Sequence, residues 1–219
     1  MMRSQAAAVA KRNPEQTKER ILAAAIDVFS AQGLSGARVD AIAERAGANK
    51  RMIYHYFGNK DQLFIHVLEA VYGHIRSHER ELHLDDLDPE AAMRELVHYT
   101  FDYFLDNPHF IKLLNTENLY EAAHLKTLPA IRDMHMPLTA QIKAILDRGA
   151  AAGVFRKRVD PVQLYISIAG VGYFYHSNVY TLSTIFGRPL GAKDAIDERR
   201  AHVIDMILGY LRADEISAD

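Results

Sequence analysis

The residues best equipped for chemistry in this sequence are cations and hydrogen-bonding aromatics gathered in one short stretch. From position 49 the order is Asn49, Lys50, Arg51, Met52, Ile53, Tyr54, His55, Tyr56, with Lys60 just beyond. Two cations, an amide and three aromatic rings with polar tips form the kind of surface that reaches base edges and phosphates. Upstream, residues 38–46 repeat apolar side chains at helical spacing, and Gly47 and Ala48 separate that segment from the next. This is helix-turn-helix spacing: Val39, Ile42, Ala43, Ala46, Ile53 and Phe57 can bury against a preceding helix and leave the polar set outside. Charge agrees. Residues 1–60 carry ten Lys and Arg against five Asp and Glu, whereas the whole chain of 219 residues has a formal net charge of −2. One end is built for a polyanion.

A second chemistry-bearing set lies in the acidic remainder. Beyond residue 84 the sequence is dense in aromatics, with His98, Asn115, Asn118, His176 and Asn178 interleaved. Apolar walls with a few convergent polar groups suit a small-molecule pocket, and Tyr99, Tyr103, Asn115, Asn118, Tyr173 and His176 are its candidates. Core packing is the plainer reading of any one of them. His74 and His78, four apart, have metal-ligand spacing with Glu69 or His66 nearby, but their neighbours Arg76, Glu79 and Arg80 read as a solvated face, so no metal is expected. No cofactor is called for. With no Cys, no Gly-rich phosphate loop and no serine elbow, catalysis has no motif to stand on.

Helices must position these residues. Polar caps, often followed by proline and then Gln, recur at Asn13-Pro14, Asn59-Lys60, Asp88-Pro89, Asn107-Pro108 and Asp160-Pro161. Apolar residues between them follow a period near 3.6, and no paired strand pattern occurs. The expected fold is all-α, with helices at 14–32, 38–46, 49–56, 60–83, 89–106, 108–121, 125–152, 161–186 and 194–212. The seventh is liable to break at Pro129 or Pro137. Residues 1–13 read as a flexible tail whose Arg3, Lys11 and Arg12 offer either a basic arm on DNA or simple disorder. Residues 14–59 form the expected reading domain and 60–219 a ligand-binding and dimerisation domain. No apolar run approaches the roughly 18 residues of a membrane span, which points to the cytoplasm and no membrane partner.

The register of Ile21 to Ala25, Phe29, Gly33, Ile42 to Gly47, Tyr54 to Phe57 and Asn59 to Leu63 resembles the DNA-binding domain of the TetR family of one-component repressors. The resemblance implies a nine-helix architecture. It implies that Lys50, Arg51 and Met52, behind Asn49, stand near base edges, and that Tyr54, His55, Tyr56 and Lys60 hold phosphates together with Arg38. It also implies an effector cavity among the fifth to eighth helices. Arg38 stands where the family commonly has a capping Thr, so that cap is lost or supplied by Ser35. Arg51 replaces a small residue and suits a bidentate contact to guanine. The stretches from Leu164 and from Thr181 are similar to the RutR-like subgroup, which does not by itself fix a ligand.

Leu164, Ile168, Gly172, Tyr175, Val179 and Leu182 form a seam of nearly seven-residue period. With Ile204, Leu208 and Leu211 on the last helix they call for a partner surface, most simply a second copy about a two-fold axis. The whole reading is a DNA-binding regulator, most simply a repressor that binds a palindromic operator in double-stranded DNA as a homodimer. A small, largely apolar or aromatic effector releases it. The alternatives are a DNA-binding regulator or architectural protein without an effector and, more remotely, a helical enzyme.

Overall fold

Polar caps and apolar periodicity produce helices through most of residues 14–213, the part of the chain that the computed structural model describes. They are α1 Pro14–Gly36, α2 Val39–Ala46, α3 Lys50–Phe57, α4 Lys60–Arg80, α5 Pro89–Asp106, α6 Pro108–Leu119, α7 Ala130–Ala151, α8 Pro161–Phe186 and α9 Lys193–Leu211. Short 3-10 turns occupy Leu84–Asp86 and Leu125–Thr127. Among the described residues the only extended pairing is an isolated bridge from Phe155 to Arg212. The expected basic tail and the Asn13 cap lie outside the described residues.

Side-chain caps explain four of the helix starts among the described residues, those of α3, α4, α5 and α8. Asn59 and Gln62 bond reciprocally: the Asn59 side chain accepts from the Gln62 N–H and the Gln62 side chain from the Asn59 N–H. Asp88 and Asp160 each accept two backbone N–H groups of the following turn. Asn107 departs from expectation. It has no side-chain cap bond to α6, and its amide donates instead to the Tyr103 carbonyl, because α5 ends where α6 begins and the orphan carbonyl is nearer. Arg38 gives α2 no side-chain cap. Pro129 precedes α7 and separates it from the 3-10 turn, while Pro137 is retained inside the helix.

The chain forms two compact units that divide between Val67 and Leu68, inside α4 rather than at its start. The reason is packing. Leu63, Phe64 and Val67 are fully buried, and the Phe64 ring meets Phe29 edge-on at 5.2 Å, so the first two turns of α4 belong to the core of α1–α3. That core also takes Ile21, Ala25, Ile42, Ile53 and Phe57.

In the second unit α5 is central, packing on α7, α8 and α9. Met93, Leu96, Val97 and Phe101 meet Ile142 and Ile145 of α7, Leu164, Ile168 and Tyr175 of α8, and Ile204, Leu208 and Leu211 of α9 in one buried cluster. This corrects the expected dimer seam. Leu164, Ile168, Gly172, Tyr175, Ile204, Leu208 and Leu211 are all buried within the chain's own core. Val179 and Leu182 are half-buried. The seven-residue period identified a face that must be covered, and from Leu164 to Tyr175 α5 covers it. At Gly172 the fit is close: a Cβ there would stand 3.2 Å from the Phe104 ring.

Candidate DNA-reading surface and effector cavities

The reading surface begins with the turn between α2 and α3. Gly47 takes the left-handed conformation, φ 56°, that closes α2, and Asn49 starts α3 by accepting the Arg51 N–H at 2.9 Å. Ile53 and Phe57 then point into the core. Lys50, Arg51, Tyr54 and His55 are left exposed, with Met52 and Tyr56 half-exposed.

Two of the cations are already engaged. Lys50 Nζ lies 2.8 Å from Asp40 of α2, and each raises the other's preference for its charged form: Asp40 is held below the ordinary carboxylate range and Lys50 above the ordinary amine range. A base contact by Lys50 therefore displaces an exposed ion pair of small worth. Lys60 donates to the carbonyls of Leu34 at 2.9 Å and Ala37 at 3.3 Å and caps the end of α1, two bonds for an ammonium group that has three protons. Arg38 reaches Asp40 at only 3.9 Å and stays exposed. Tyr56 is steadied by His55 at 5.1 Å and by Lys18 over its ring at 5.7 Å. The positioning roles of Asp40 and Lys18 escaped sequence reasoning, since only the packing of α2 and α1 beside α3 shows them.

In the second unit the six pocket candidates do not converge. Asn115 and His176 line a cavity of about 530 Å³ together with Phe104, Ile111 and Ser177. The Tyr173 hydroxyl donates to the Asn115 side chain, which also reaches Ser177. His176 keeps Nε2 buried without a hydrogen-bond partner, and burial pulls its pKa down against the opposing pull of Asp102. Tyr99 and Tyr103 belong elsewhere: Tyr99 donates to the Ile75 carbonyl at 3.3 Å and the Tyr103 hydroxyl meets His74 Nδ1 at 3.1 Å. Burial raises both phenol pKa values. Asn118 is exposed and turns its amide back to the Leu114 carbonyl, so it is corrected to a helix-surface residue.

The expected solvated face of α4 holds at Arg80, which is exposed, and is corrected at Arg76 and Glu79. Arg76 and Glu79 are buried and paired at 2.7 Å, because this face of α4 lies under Tyr165 of α8 and against α7 residues rather than in water. With Arg80 and Asp85 they edge a cavity of about 380 Å³ against Pro137 and Leu138. Burial pushes the Glu79 pKa up from its ordinary 4.5 to about 7, outweighing Arg76 and Arg80. A raised carboxyl pKa binds its proton more tightly when folded, so this group favours folding most below about pH 4.5 and progressively less up to about 7. The melting temperature of Glu79→Gln should therefore fall less than that of the wild type between pH 5 and 7. Parallel melting curves across that window would contradict the assignment. His78 bonds the His74 carbonyl, and no group of three or more metal-type ligands occurs among the described residues.

Comparison with known proteins follows the same division of the chain. Residues 21–67 match the model for bacterial regulatory proteins of the tetR family, and residues 89–207 the Tetracyclin repressor-like C-terminal domain. The chain is 37% identical over 211 residues to the HTH-type transcriptional repressor NicS of Pseudomonas putida, covering 96% of this chain and all of that one. It is 39% identical over 163 residues to the HTH-type transcriptional repressor SCO4008 of Streptomyces coelicolor, covering 74% and 79% of the two chains. In fold it is similar to the solved structure of the putative transcriptional regulator SCO4942 of Streptomyces coelicolor, with a TM-score of 0.65 at 24% identity, covering 89% of this chain and 98% of that one. A helix-turn-helix head with an exposed polar α3, matched over its length together with an all-helical second unit, establishes that the chain belongs to the TetR family of bacterial transcriptional regulators.

Proposed function

We propose that the chain is a repressor that binds a palindromic operator as a homodimer and releases it when a small molecule enters the second unit. The exposed face of α3, with Arg51 uncovered and Lys50 held by a displaceable partner, carries this reading. Arg51 and Lys50 read base edges in the major groove, Tyr54, His55, Tyr56 and Arg38 hold phosphates, and Lys60 fixes the end of α1 and adds a phosphate contact.

The dimer uses the side of α8 and α9 that faces away from α5. Val162, Ile166, Phe174, Tyr180, Ile185 and Phe186 of α8 and Met206 and Tyr210 of α9 are exposed large apolar residues, Tyr180 at 86%. Gly170 and Gly209, exposed with open space around them, permit close helix approach. Burying such a face against its own copy supplies the two half-sites that a palindrome needs.

The effector is a small, largely apolar or aromatic molecule with one or two polar edges. α4 contributes turns to both units, so a ligand that binds one placement of α4 better than another changes operator affinity by that difference alone. Selection of bound fragments from random duplex DNA tests the reading: the recovered sequences should share an inverted repeat and bind two chains each. Recovery of no common repeat would overturn it.

A further inference from the structure

The buried pair on α4 is unfinished. Arg76 and Glu79 side chains are each 3% exposed, and Nη1 lies 2.7 Å from Oε2 without the alignment of a hydrogen bond. Both Glu79 oxygens and the Arg76 Nε and Nη1 lack a hydrogen-bond partner. Only Nη2 is used, donating to the Tyr165 hydroxyl at 2.8 Å, with the guanidinium above that ring at 5.4 Å. Charges removed from water are tolerated when their donors and acceptors are saturated, and these are not. The pair forms the polar end of the cavity of about 380 Å³, whose remaining wall is largely the apolar surface of α7 around Met134, Pro137 and Leu138. That volume lies at the small end of ligand pockets, which run from about 300 to 1,000 Å³.

Resting on the effector reading above, we propose that this cavity takes a small monocarboxylate with an apolar body, its carboxylate replacing Glu79 on the Arg76 guanidinium while Glu79 becomes a neutral acid. The planar fork of Arg matches a carboxylate bidentately, and the apolar α7 wall covers the ligand's body. A cationic ligand would meet Arg76 and Arg80 together. Glu79 is prepared for the exchange because burial already brings its pKa to about 7, so the proton it takes from solvent costs little near neutrality. The charged groups around it are Arg76 and Arg80 on α4 and Asp85 in the following turn. Tyr99 and Tyr103 of α5 and Tyr165 of α8 feel its charge and stay neutral, and α7 adds His135, whose pKa burial lowers.

Calorimetric titration of the full chain tests this with benzoate and hexanoate, and with benzamide and hexanamide as neutral counterparts. Two buffers of unlike ionisation heat are used slightly above neutral pH. At least one carboxylate should bind, about tenfold or more tighter than its amide, with net proton uptake. Glu79→Gln should tighten that binding and abolish the uptake. Replacing Arg76 and Glu79 together by Met leaves no buried charge and should keep the melting temperature while losing about tenfold or more in carboxylate affinity. Failure of both carboxylates to bind, equal binding of acid and amide, or unchanged binding by the folded double variant would each overturn the proposal. Affinity for a selected duplex is scored separately. A carboxylate that binds through Arg76 without weakening DNA supports this site and counts against the effector reading. Release of DNA by an amide independently of Arg76 keeps that reading and overturns this site.

Discussion

Phe174→Glu combined with Ile185→Glu should give a folded monomer of 24.7 kDa where the unsubstituted chain should give twice that mass by light scattering. Both residues are exposed, 56% and 71%, on the side of α8 that α5 does not cover, so two carboxylates there cost the single chain little. Facing their own copies across a two-fold axis, they place like charges in an apolar contact. Operator affinity should fall by about a hundredfold or more, because each reading head then binds without the effective concentration its partner provides. A double variant that remains dimeric and keeps its operator affinity would place the interface on another face.

Leu208→Glu should do something different: destabilise the second unit. Leu208 is 1% exposed in the cluster formed by α5, α7, α8 and α9, and a carboxylate there has no partner in that apolar core. Loss of the buried side chain together with an uncompensated polar group costs about 4 kcal/mol or more. For a protein of this size that lowers the melting temperature by about 8 to 16 °C. Thermal unfolding followed by circular dichroism checks it. A Leu208→Glu chain that melts like the wild type yet runs as a monomer would return this residue to the dimer interface. The contrast between the two substitutions separates a surface that seeks a partner from one that has found it.

That distinction marks the limit of what periodicity conveys. The reading head was legible nearly to the residue: Gly47 closes α2, Asn49 opens α3, Asn59 and Gln62 cap each other, and Ile53 and Phe57 turn inward. Each follows from local rules of caps and spacing. In the second unit the helices were legible but their partners were not. Leu164, Ile168 and Tyr175 announce an apolar stripe, yet nothing local says that α5, about seventy residues earlier in the chain, lies across it. Arg76 and Glu79 look like an ordinary exposed pair three apart, and only the arrival of Tyr165 from α8 takes them out of water. Glu117 was unreadable for the same reason. Its buried carboxylate accepts the N–H groups of His124 and Leu125 and pairs with the His124 ring, holding the segment before α7. The pocket candidates suffered too: Tyr99 and Tyr103 on α5 sit one turn apart from each other, but neither meets Asn115.

The central claim is that α3 reads base edges. The measurement that tests it most directly is selection from random duplex DNA, carried out in parallel for the wild type and Arg51→Ala. Arg51 is exposed on α3 behind the Asn49 cap, so its removal leaves the fold intact. The wild type should recover an inverted repeat, and Arg51→Ala the same repeat with one step in each half-site relaxed, corresponding to about 1 to 3 kcal/mol per lost bidentate contact. Identical base preferences at every step for both proteins would contradict the account.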